Sequence, residues 1–165
     1  MIAANRMLRN CWLWIGLLVG LSTAGLAQGQ TLQIQTLSLD GARTVLHVAE
    51  QKAQQLSAPS SLAVVDAAGD LILFEQMPGA RPVGIDLAIG KARSAARFQV
   101  ATQTLETAIN TNRPAAITAG LTEMDGGVPI RIGGNVVGAV GVSGLDHHID
   151  VQVADTTAAA LGTGR

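Results

Sequence analysis

Aromatic side chains are almost missing from this chain, whose 165 residues include two tryptophans, two phenylalanines and no tyrosine. The only cysteine, Cys11, and both tryptophans, Trp12 and Trp14, fall within the first 27 residues. A chain without that segment has no disulfide, no thiol nucleophile and no paired cysteines for covalent attachment of a cofactor. Its only aromatics are then Phe74 and Phe98, so its core must be built from Ala, Val, Leu and Ile. Positive charge is scarce as well: without Arg6 and Arg9, nine basic residues face twelve acidic ones, a net charge of −3. Nucleic-acid binding calls for a basic face that displaces counterions, and often for aromatic stacking platforms. That partner class is excluded.

The first 27 residues read as a leader. Arg6 and Arg9 precede the apolar run Cys11 to Leu21, and Gly25-Leu26-Ala27 supplies small residues before Gln28. This is the three-part plan of a secretory signal peptide, with cleavage expected after Ala27 and a periplasmic or secreted product. Ser22-Thr23 interrupts the run short of the about 20 apolar residues that a membrane span requires, so no stable anchor is expected after cleavage. The remaining 138 residues, 28–165, suit one domain.

Residues Thr31 to Thr36 (TLQIQT) alternate polar and apolar side chains, which predicts a short strand. Ser38 is placed to cap a helix reaching about Leu56, with Leu39, Ala42, Leu46, Ala49 and Ala53 on its apolar face. Ser61 to Asp66 and Leu71 to Glu75 flank a turn and predict a hairpin. Helices are expected over about 85–100 and 102–110, a second hairpin over 126–142 around Gly133-Gly134, and a last helix from Asp146 to about Leu161. The order strand, helix, hairpin, two helices, hairpin, helix implies a single α+β domain, an antiparallel sheet flanked by helices.

Three motifs, VVDAAGDLILFEQMPGA (Val64 to Ala80), KARSAARF (Lys91 to Phe98) with Thr102 after it, and GGVPIRIGGNVVGAVGVSG (Gly126 to Gly144), resemble the GlcG/HbpS family, whose domain also occurs at the C-terminal end of PduO-type proteins. Asp150 and the alanine-rich last helix continue the likeness. The resemblance implies the same α+β fold and a homo-oligomer. It also implies binding of haem or a related tetrapyrrole, with iron handling or redox sensing in the secreted type. Other members have no clear activity, so a non-catalytic accessory or assembly module is the alternative.

The resemblance singles out Thr102 as an oxygen ligand to haem iron, where its plain reading is a helix cap. Arg93 and Phe98, in the KARSAARF motif, join it as candidate haem contacts. Lys91, Arg93 and Arg97 could meet propionates, and are otherwise a solvated helix face. The stretch GVSGLDHHID holds His147, His148 and Asp150 as candidate iron or metal ligands. Neighbouring residues of a helix point about 100° apart, so the two imidazoles are poorly placed to grip one ion, whereas His147 and Asp150 share a face. The other reading has Asp146 capping the helix, with neutral histidines at its positive end. Ser143 resembles a nucleophile elbow only in part, since Leu145 stands where a glycine belongs, and no catalytic constellation is found. An enzyme is not expected.

Overall fold

The computed structural model describes residues 32–162, so the leader over 1–27 and Thr31 lie outside the described part. Four helices and one sheet carry the domain: α1 (Leu39–Gln55), β1 (Ser61–Asp66), β2 (Leu71–Gln76), α2 (Gly84–Phe98), α3 (Thr102–Thr111), a 3₁₀ turn (Pro114–Ala119), β3 (Gly127–Ile132), β4 (Asn135–Ser143) and α4 (His147–Gly162). The sheet is antiparallel throughout, in the order β2-β1-β4-β3. No helix among the described residues is long and apolar enough to cross a membrane.

The expected strand before α1 is absent, since residues 32–36 carry no strand. A single ladder-like bond forms instead, from the Leu37 amide to the Val137 carbonyl at 2.7 Å. It forms there because β4 outruns β1, whose last pair is Asp66 with Gly138. Ser38 caps α1 as expected, its hydroxyl accepting the Gly41 amide. The buried stripe of α1 is Ala42, Val45, Leu46, Ala49 and Ala53, whereas Leu39 is exposed. Leu39 sits in the first turn, where the helix has not yet reached the sheet.

The side chains of β1 alternate between two cores. Leu62 and Val64 meet α1 and α4, with Ile130, Val140 and Val142 beside them. Ala63, Val65 and Ala139 meet the alanines 88, 92, 95 and 96 of α2. The second core has almost no large side chains because α2 lies directly on the sheet backbone. A Cβ at Gly141 would collide with the Ala88 carbonyl, and one at Gly127 with the Lys91 carbonyl. Gly141 thus belongs to the middle of β4, paired with Ala63 and Gly127, and not to a turn. The shortage of aromatics and the glycine-rich strands have one cause, the close approach of a helix to a sheet.

Both hairpins form. Gly133 and Gly134, at φ 58° and 83°, make the two-residue turn between Ile132 and Asn135. β3 is an edge strand, where Pro129 can sit without costing a ladder bond. Helix α2 stops at Phe98, two residues short of the expected end, because Gln99 turns left-handed (φ 59°) and gives its carbonyl to Arg131 at 2.6 Å.

Candidate functional site

The end of β4 and the start of α4 meet the loop before β3 around one buried ion pair. Lys91, 2% exposed, donates to the Val142 carbonyl at 2.9 Å and to Asp150 at 3.1 Å. The second carboxylate oxygen of Asp150 accepts the Gly144 amide at 2.7 Å. Burial holds the Asp150 carboxyl above its ordinary range, and Lys91 and the Gly144 amide pull it only partly back. Lys91 is therefore no part of a solvated face. A fully desolvated ammonium on α2 needs an anion, and Asp150 supplies it.

Asp150 is accordingly turned inward, away from the ion that it was expected to share with His147. His147 has another carboxylate: its Nδ1 lies 2.8 Å from Asp125 Oδ2, across 22 residues of sequence. An ionised carboxylate only accepts, so Nδ1 carries the proton and the lone pair of a neutral ring is left on Nε2. Asp125 is 7% exposed and the His147 side chain 60% exposed, so the ring reaches solvent from a fixed mooring. The hydrogen bond to Asp125, then the charges of Asp125, Asp146 and Glu106, raise the pKa of His147. The adjacent carboxylate thus outweighs the partial charge of the helix end, which alone would lower that pKa. Asp146 does cap α4, accepting the His148 amide at 2.9 Å. The rings of His147 and His148 lie with centroids 3.9 Å apart, closer than helical spacing alone suggests. Among the described residues, no group of three His, Cys, Asp or Glu is arranged to hold a metal ion, so His147, His148 and Asp150 do not form such a set.

Thr102 stands on the inner side of the same loop. Its hydroxyl accepts the Gly127 amide at 2.8 Å, and it has no exposed surface. It does not cap α3: Ala101 holds the cap position, and Thr102 is the first helical residue. Arg93 and Arg97 are occupied at the β1–β2 turn, donating to Gly69 at 3.2 Å and Ala68 at 3.1 Å. Phe98 is exposed near that end of α2, seven residues beyond Lys91. The structure therefore brings Thr102 and His147 to one loop through residues 125–127, and leaves Arg93 and Phe98 elsewhere. Ser143 is buried at the end of β4.

Two residues of this region escape sequence reasoning. Asp125 has no local signal for a partner 22 residues away. Arg81 reaches from the loop before α2 to the Gly144 carbonyl at 3.0 Å, which places a guanidinium beside exposed Leu145 and the start of α4. Behind Asp125, whose amide is held by Glu106 at 2.9 Å, lies a cleft of about 420 Å³ walled by Leu87, Ile109, Ile117, Leu121 and Met124.

Comparison with known proteins agrees with this architecture. Protein GlcG of Escherichia coli strain K12 is 37% identical over 108 residues, which cover 65% of this chain and 81% of GlcG. The crystal structure of a PduOC:heme complex superposes with a TM-score of 0.70 at 28% identity, covering 78% of this chain and 97% of that one. A double mutant of HbpS from Streptomyces reticuli gives 0.75 at 29% identity, over 81% of this chain and 92% of its own. The family model described as haem degrading protein HbpS-like matches residues 37–159, and the chain belongs to the HbpS-like family.

Proposed function

We propose that this protein binds haem, with His147 as the iron ligand. The observation that carries this reading is the His147–Asp125 pair: Nδ1 is tied to a buried carboxylate, and Nε2 is left on an exposed ring. Imidazoles that ligate metals have this construction, in which the partner carboxylate fixes tautomer and orientation and strengthens the donor. Exposed Leu145, two residues before His147, offers apolar contact, and Arg81, held at the Gly144 carbonyl, a guanidinium suited to a propionate. His148, with its ring against that of His147, flanks the site. When bound, the group supplies a redox-active iron; the chain supplies the imidazole, its orientation through Asp125 and the cation. The known haem complex of PduOC, a protein of the same fold, supports the ligand class.

Thr102 is the other ligand to weigh, and its buried, engaged hydroxyl favours His147. Export to the periplasm or beyond belongs to the same proposal and rests on the leader sequence. So does assembly into a homo-oligomer, which rests on a core short of large side chains. Titration with haemin, followed by absorbance, tests the reading. The wild type is expected to saturate with a defined stoichiometry, and His147→Ala to weaken binding at least about tenfold, or 1.4 kcal/mol. Non-saturating uptake that is unchanged in His147→Ala would mean adsorption, and would leave an accessory module as the reading.

A further inference from the structure

The loop before β3 has no regular structure of its own, since residues 120–126 lie in neither helix nor strand. Its Asp125 is nevertheless closely aimed, with a carboxylate oxygen 2.8 Å from the His147 ring. Two side chains of α3 moor this loop. Glu106 Oε2 accepts the Asp125 amide at 2.9 Å, and the Thr102 hydroxyl accepts the Gly127 amide at 2.8 Å. The spacing explains why one helix can hold both. Residues four apart share a helix face and are separated by a rise of about 6 Å. Two residues of chain reach at most about 7 Å, so Thr102 and Glu106 match alternate amides of the loop.

The anchors along the loop are not equivalent. Gly127 is held twice, by Thr102 and by its pairing with Gly141 in the sheet. Gly126, at φ 102°, gives its carbonyl to the Val142 amide of β4 at 2.9 Å. Asp125 lies one step further from the sheet, at the end of the irregular stretch, and its amide is held from α3 by Glu106. The direction of its carboxylate follows from that bond. We propose that Glu106 is a positioning residue for His147: by fixing the backbone of Asp125 it sets where that carboxylate points, and so which nitrogen of the ring keeps the proton. This rests on the reading of His147 as the iron ligand, since the Nδ1–H form is the one that leaves Nε2 free to bind.

Nitrogen NMR of the haem-free protein, with labelled and neutral histidine rings, reads the tautomer directly. In the wild type His147 is expected almost wholly in the Nδ1–H form. Glu106→Met keeps the stem and removes the acceptor, and is expected to show both tautomers, as an unmoored ring does. Glu106→Gln keeps an acceptor for the Asp125 amide and is expected to hold the wild-type form. Haemin affinity should follow the same order: near wild type in Glu106→Gln, and about tenfold weaker in Glu106→Met, the lower end of what outer partners of a metal ligand contribute. A wild-type ring that is already mixed, a Glu106→Met ring that stays Nδ1–H, or a Glu106→Gln ring that does not would each overturn the proposal. The tautomer is read without haem, so the two readings fail separately. A tautomer that responds as expected, beside haemin uptake unchanged in His147→Ala, would overturn iron ligation and uphold the positioning of the ring.

Discussion

Replacing Lys91 by Met removes the charge beneath the site while keeping most of the stem that α2 packs against the sheet. Asp150, whose side chain is 5% exposed, then loses its cation and keeps only the Gly144 amide. Breaking a buried pair from one side costs about 3–5 kcal/mol, against a total stability of about 5–15 kcal/mol for a domain of this size. The expected loss at neutral pH is therefore about 3 kcal/mol. Its pH dependence has a definite sign. Burial already lifts the Asp150 carboxyl above its unfolded value, and a raised pKa gives stability that is present in acid and lost as pH rises through the folded value. Without Lys91 that pKa climbs further, so the gap between variant and wild type should widen from acid towards neutral pH. Adding Asp150→Asn removes the second charge while keeping an acceptor for Gly144, and should restore the protein to within about 1 kcal/mol of wild type. Urea unfolding of the three proteins across that pH range measures all of this. Equal loss in the single and double variants, constant with pH, would refute the ionic account and assign the role of Lys91 to its aliphatic stem.

Other outcomes follow from the packing. Gly141→Ala and Gly127→Ala should each cost about 2–3 kcal/mol in denaturant unfolding, because a Cβ at either position meets the α2 backbone. Gly134→Ala has open space and should cost only the about 1–2 kcal/mol of a left-handed residue. Leu46→Ala should lose about 2–5 kcal/mol while Leu39→Ala changes stability by less than about 0.5, in line with their burial. Thr102→Val should cost about 1–3 kcal/mol by stranding the Gly127 amide, and Thr102→Ser should recover most of it.

The elements were legible where local chemistry specifies them. Ser38 announced α1, the turn between Asp66 and Leu71 and the one at Gly133-Gly134 announced the hairpins, and Asp146 announced α4. Burial was not legible where it depends on how closely two elements approach. Lys91 lies on a helix face that reads as polar, and only its contact with Asp150, 59 residues away, explains its burial. The same holds for the site. The histidine pair stood out by composition, but Asp125, which orients one ring, and Arg81, which reaches the Gly144 carbonyl, are placed by tertiary packing alone. Thr102 was conspicuous for the motif before it, yet its bond to Gly127 is a long-range contact that no helix-capping rule anticipates.

Iron ligation by His147 is tested most directly by electron paramagnetic resonance of the ferric haem complex, made with protein whose histidines carry labelled ring nitrogen. The account predicts hyperfine coupling from a histidine nitrogen that is retained in Thr102→Val and lost in His147→Ala. A saturated complex with no histidine coupling, or with coupling that survives His147→Ala, would contradict it.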